Sequence, residues 1–299
     1  GFIALADAAQ SQLYSMLVQD DLNALAYPAL LAGVSYQIAA PPRGFRVSVG
    51  GYNDKQLVLL EEVLTRLMNL EIKEDRFNVV KGELIKDLAN SLKNKPFLQS
   101  YQRSKDELLD SSWTAEQVIG ALEGVTRESL AVWRDSVLQE MSIQGLVHGN
   151  VTKARVDELA GLLKRHVRIS DVAPASTTVI EVEGASSMPL GIDHNDASMV
   201  LYVQDEASSF ENRARSTLLT HLVAPGFFSS LRTEQQLGYV VSAVNTQLRD
   251  RGGISFVIQS PVAGPDRLRD RTLAFMTVQE RVLSEMSDEE FGANKGGLI

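Results

Sequence analysis

The chain has 299 residues, 44% of them hydrophobic, with a net charge of −9 and a pI near 5.1. An acidic chain without a basic patch excludes nucleic acid as the main partner, the lack of any apolar stretch of about 18 residues excludes a membrane-spanning helix, and zero cysteines exclude disulfides and thiolate metal sites. Length and hydrophobic content suit two domains, each with its own core.

In chain order, helical periodicity runs through Ile3–Val18 and again through Leu22–Leu31. The period then changes. Val34–Ala39 and Phe45–Val49 are short strand candidates around Pro41, Pro42 and Gly44, the composition of a hairpin. Asn53 and Asp54 cap a helix with apolar positions Leu57, Leu60, Val63, Leu64 and Leu67, and Asp75 caps another that runs to Leu92. Helical segments follow at Phe97–Leu109, Thr114–Leu122 and Thr126–Leu138. Thr114 with Gln117 reads as a capping box, whereas Thr126 with Ser129 does not. Ser142–His148 reads as a strand and Thr152–His166 as a closing helix. Scattered Pro, Ser, Thr and Gly over residues 169–190 mark a linker containing one strand candidate, Thr178–Val182. Beyond it come strand Met199–Gln204, helix Glu211–Val223, helix Phe227–Gln236, strands Gly238–Thr246 and Gly253–Gln259, helix Pro265–Glu285 and a final short helix.

The chain also repeats itself. Residues 72–85 (IKEDRFNVVKGELI) and 286–299 (MSDEEFGANKGGLI) share a Phe, a Lys-Gly pair and a Leu-Ile pair in register, and LYSMLV at Leu13–Val18 echoes LLTHLV at Leu218–Val223. Two matches in one order imply a duplicated unit of roughly 200 residues, the size of a domain. The expected fold is therefore α+β: two homologous domains, each a largely antiparallel sheet with helices packed on one face. The first covers residues 1–168 and lacks its opening strand, the linker covers 169–190, and the second covers 191–299 and is truncated. A fragment so cut should leave an unpaired strand edge and apolar helix faces, and hence self-associate.

The most chemically pointed segment is Phe227–Val241, FFSSLRTEQQLGYVV. Gly238 closes the helix that carries Arg232, and Tyr239 follows as the first strand residue, at a corner that restricts where its hydroxyl points. A tyrosine hydroxyl can donate to a developing oxyanion, and a guanidinium fork can bind a carbonyl or carboxylate oxygen. Two plainer readings stay open at this point: Tyr239, alternating with Val241 and Ala243, as a core aromatic, and Arg232 as an exposed cation at a helix C-terminus. The cluster Asp193, His194, Asn195 and Asp196 reads as loop rather than metal site, and Asp288–Glu290 as helix N-terminal charge.

LRTEQQLGYVV, together with GYNDKQ at Gly51–Gln56 and LVHGNVTK at Leu146–Lys153, resembles the C-terminal half of the insulinase and pitrilysin family of zinc metalloendopeptidases. The resemblance runs across nearly the whole chain. It implies four homologous domains in two halves that close around a peptide, with this chain holding most of the third and the front of the fourth. It also implies zinc bound by an inverted H-x-x-E-H motif outside this chain. The four histidines here, His148, His166, His194 and His221, have no such spacing, so no zinc is expected on the chain and the fragment alone should be inactive. By the same resemblance Tyr239 and Arg232 carry over as catalytic contributors that stabilise the tetrahedral intermediate, and Phe228 as a substrate-side-chain contact. Phe228 also reads as a helix-packing aromatic. The partners implied are peptide substrates and the N-terminal half of the same polypeptide, in periplasm or cytoplasm, with likeness to bacterial pitrilysins favouring periplasm. An alternative within the same fold family is a non-catalytic scaffold.

Overall fold

A computed structural model of the chain describes residues 3–173 and 176–298; Ile299, which closes the second repeat, and linker residues 174–175 lie outside it. The chain divides into two units by its internal contacts, Gly1–Leu92 with Ser111–Thr177 and Lys93–Asp110 with Thr178–Ile299.

In the first unit, helix α1 (Leu5–Leu31) leads into the antiparallel pair β1 (Val34–Ala39) and β2 (Arg46–Gly51), and helices α2 (Asn53–Asn69) and α3 (Glu74–Ser91) follow. The two helical segments expected between Ile3 and Leu31 are one helix. Asp20 and Asp21 accept from Arg76 at 2.8 Å and Arg66 at 3.0 Å, and this ties α1 to α3 and α2. The core gathers on Leu13, Tyr14, Val18 and Leu22 of α1. The Tyr14 hydroxyl donates to the Leu67 carbonyl at 2.7 Å, and burial raises its pKa well above the ordinary phenol value. The unit continues with α5 (Ala115–Glu123), α6 (Arg127–Leu138) and α7 (Lys153–His166). Thr126 and Ser129 form a full capping box after all, because the Ser129 hydroxyl accepts the Thr126 N–H at 2.9 Å.

In the second unit, α4 (Pro96–Asp106) joins strand β3 (Ala197–Gln204), helix α8 (Phe210–Phe228), a π-helical turn at Ser229–Glu234, strands β4 (Val240–Asn245) and β5 (Gly253–Ser260), and helices α9 (Pro265–Ser284) and α10 (Asp288–Gly296). The sheet order is β3-β5-β4, antiparallel throughout. Ile254, Phe256 and Ile258 of β5 turn one face toward α8 and α9, where Phe227 packs edge-on against Phe256 at 4.9 Å and Phe275 at 5.2 Å. The alternate residues meet α4. Ser198 bonds Ser100 at 2.6 Å, and the Gln259 amide oxygen accepts the Phe97 N–H at 3.2 Å. Central β5 is therefore buried along its whole length.

The expected fold class needs correction. The described residues are 55% helix and 14% strand, and they form one two-stranded and one three-stranded sheet rather than two domains dominated by large antiparallel sheets. The larger sheet is also covered on both faces. The cause is that alternation marks a segment able to pair, whereas a strand exists only where a neighbour supplies hydrogen bonds. Ser142–His148 pairs with nothing among the described residues, and Thr178–Val182 makes a single bridge, Val179 to Leu109. The duplication is nonetheless visible as order. Helix, strand, strand, helix, helix recurs as α8, β4, β5, α9, α10, although Phe77 is 5% exposed on α3 and its repeat mate Phe291 is 44% exposed on α10.

Phe227 is fully buried between two rings, so Phe227→Ala should destabilise the second unit by about 3 to 5 kcal/mol. Urea unfolding followed by β-sheet amide exchange would show it; a loss under about 1 kcal/mol would mean the ring cluster is not the core it looks to be.

Candidate functional site

Helix α8 does not stop where its sequence suggests. Pro225 lies inside it, and beyond Phe228 the backbone widens into the π-helical turn that carries Arg232. The turn closes through Gln235 N–H to the Ser230 carbonyl at 3.0 Å and Leu237 N–H to the Leu231 carbonyl at 2.9 Å. The left-handed residue that ends it is Gln236, at φ 50°, and not Gly238. Glycine at 238 serves a different need: a Cβ there would stand 2.2 Å from the Gln259 carbonyl oxygen. Close approach of the two backbones thus requires Gly238, and it delivers Tyr239 one residue ahead of β4.

Tyr239 departs from the alternation that buries Val241 and Ala243 and is 46% exposed, so it is not a core aromatic. Its hydroxyl donates to Asp196 Oδ2 at 2.7 Å and accepts from Gln259 Nε2, which also donates to Asp196 Oδ2 at 2.8 Å. Gln259 is fully buried, and its amide is oriented at the other end by the Phe97 N–H. The hydrogen bond to Asp196 raises the Tyr239 pKa, with desolvation adding to it, and bonds from Gln259 and Tyr239 hold the Asp196 carboxyl below its ordinary range. At neutral pH the phenol keeps its proton and Asp196 keeps its charge.

Arg232 Nη1 donates to the Tyr239 carbonyl and, at 3.3 Å, to the Gly238 carbonyl, which fastens the turn to the strand entry. Its Nε and Nη2 make no hydrogen bond among the described residues. Arg232 and Tyr239 line one open cavity of about 480 Å³ together with Thr233, Gln236, Gly238 and Pro261. Phe228 lies one turn before Arg232, is 47% exposed, and places its ring 5.6 Å from the guanidinium without lining that cavity. The structure thus brings two of the three sequence-derived residues to one cavity and sets the third beside them.

Asp196 and Gln259 were not singled out from sequence. Asp196 sits in the DHND run read as loop, where its own N–H donates to His194 Nδ1 at 2.9 Å. Only the pairing of β3 with β5 brings it beside Gln259. Among the described residues no group of three or more His, Cys, Asp or Glu is placed to hold a metal ion, and no helix is long and apolar enough to cross a membrane.

Residues 4–121 match the middle or third domain of peptidase M16, and residues 218–299 match domain 4 of the C-terminal lobe of PqqF-like PQQ synthase proteins. The chain belongs to the insulinase and pitrilysin family of zinc metallopeptidases. It is 29% identical to human insulin-degrading enzyme over 289 residues, which is 93% of this chain and 28% of that protein. It is 28% identical to insulin-degrading enzyme-like 2 of Arabidopsis thaliana, over 98% of this chain and 32% of that one. A crystal structure of pitrilysin shares its fold at TM-score 0.84 and 23% identity, over 97% of this chain and 31% of the other. The chain therefore spans about a third or less of these relatives.

Replacing Asp196 by Asn removes the charge that holds the phenolic proton, so Asp196→Asn should bring the Tyr239 pKa down toward the ordinary value. Tyrosine ring carbon-13 NMR, with Tyr239→Phe to assign the resonance, measures it. An unchanged titration would show that Asp196 does not govern the phenol.

Proposed function

We propose that this chain forms part of the substrate-enclosing, non-zinc portion of a zinc endopeptidase that hydrolyses peptides, with Tyr239 and Arg232 binding the scissile carbonyl. The observation that carries the reading is that a protonated phenol and a guanidinium with uncommitted N–H groups border one open cavity. As the carbonyl becomes tetrahedral, charge grows on its oxygen, and donors fixed beforehand stabilise that charge without reorganising. Gln259 polarises the phenol by donating to its oxygen. The phenolic O–H, given to Asp196 in the resting site, turns to the substrate oxygen as a hydrogen-bond donor and keeps its proton, while Asp196 stays an anion held by the Gln259 amide.

The described residues of this chain do not fit zinc. His194 is engaged by the Asp196 N–H, and the described residues hold no ligand cluster. The metal and the water-activating glutamate would belong to sequence outside this chain, so the chain by itself would not hydrolyse peptides. Phe228, half-exposed beside Arg232, would meet the substrate side chain next to the cut.

In the polypeptide that includes the zinc-bearing half, Tyr239→Phe should lower kcat about 100- to 1,000-fold, the usual cost of one oxyanion donor, at unchanged zinc content. Peptide turnover and metal analysis on the same preparation check both. Undiminished turnover would remove Tyr239 from the chemistry, and absence of hydrolysis in the unsubstituted protein would favour a scaffold of the same fold family.

A further inference from the structure

Arg232 is fastened through a single nitrogen. Nη1 donates to the Gly238 and Tyr239 carbonyls, so Nε–H and the neighbouring Nη2–H keep no partner among the described residues. Those two donors run parallel along one edge of the planar guanidinium, at the spacing of the two oxygens of a carboxylate. The clamp on Nη1 stops the fork from turning away, which lowers the ordering cost of binding at that edge.

The cavity beside this edge suits an anion for a second reason. Its lining is Arg232, Thr233, Gln236, Gly238, Tyr239 and Pro261, a cation with no acidic side chain, on a protein whose net charge is −9. Asp196, the acid bonded to the phenol, does not line it and is already engaged by Tyr239 and Gln259. A peptide carbonyl uses only part of this arrangement, because its one oxygen cannot occupy both donors of the fork in parallel. Hydrolysis changes the ligand. The C–N bond breaks, the oxygen of water joins the carbonyl carbon, both protons of that water end on the departing amine, and the fragment N-terminal to the cut ends in a carboxylate.

We propose that the free edge of Arg232 and the hydroxyl of Tyr239 form a carboxylate site that takes the new C-terminus of this product fragment. The inference rests on the reading of Tyr239 and Arg232 as carbonyl-binding groups and extends it from substrate to product. The fork meets both oxygens, the phenol adds a third hydrogen bond, and the whole negative charge faces the guanidinium. Cleaved peptide is therefore held more firmly than intact peptide, and salt eases its release.

The chain itself suffices for the test. It is titrated calorimetrically at low salt with an acetylated tripeptide bearing a free C-terminal carboxylate, and with the same tripeptide as its C-terminal amide. The acid should bind about tenfold or more tighter than the amide and should shift the Arg232 Nε–H and Tyr239 ring resonances. Arg232→Lys keeps the charge without the fork and should cut the preference severalfold, Arg232→Gln should abolish it, and the β-sheet amide spectrum reports whether each variant keeps its fold. Equal binding of acid and amide, or a preference undiminished in both variants, would overturn the proposal. Equal binding with turnover still lost in Tyr239→Phe of the zinc-bearing polypeptide would sink the carboxylate site alone. An acid preference with undiminished Tyr239→Phe turnover would uphold the site and remove the peptidase reading of the phenol.

Discussion

One buried amide organises the second unit's surface chemistry. Gln259 lies on the central strand with no exposure, and a buried amide is tolerable only with its donors and acceptor satisfied. The α4 backbone N–H takes the oxygen, and the carboxylate of Asp196 and the phenol of Tyr239 take the nitrogen. Three segments distant in sequence are thereby held to one point. Gly238 makes this reach feasible, because any side chain there would drive the Tyr239 strand off the Gln259 backbone. The cavity geometry is a consequence of that packing, with Arg232 clamped to the same backbone from the far side.

The clamp also explains the widened turn. A regular α-helical ending would place the last helical side chains at a spacing of 3.6 residues per turn, whereas the π-helical turn adds a residue to the register between Phe228 and Leu237. Leu231 and Leu237 remain in the core while Arg232 swings to the carbonyls of Gly238 and Tyr239. The strain of Gln236 in the left-handed region is borne by a residue that can turn its side chain to solvent.

What the sequence discloses about this molecule is local. Helical spacing locates α2 and α9, and alternation locates β1, β2 and β5, because each signal lies within the segment itself. Capping was only partly readable: the serine at position 129 does the work usually given to Glu or Gln, reaching the Thr126 N–H with a shorter side chain. Non-local facts were not readable. Ser142–His148 has the alternation of a strand and no partner, and Asp196 is an ordinary loop acid until β3 and β5 align. The fold class failed for the same reason, since counting strand candidates says nothing about how many of them pair. One short turn separates Arg232 from Tyr239, so their nearness was legible locally, whereas a shared role for them came only from the family resemblance.

Comparing the two units shows how a duplicated plan diverges under different neighbours. On β5 both edges and both faces are covered, so every position can be buried, and polar Ser255 and Gln259 are accommodated by bonds to Thr246, Asp196 and Tyr239. On β2 only alternate residues pack inward, and Arg46, Ser48 and Gly50 remain exposed. A strand with one free edge cannot afford a buried amide like Gln259, for it has no second neighbour to position the partners. The chemistry of the second unit thus depends on its sheet being three strands wide, whereas β2, paired only with β1 among the described residues, buries no polar side chain of its own. That difference follows from pairing alone, before any question of substrate arises.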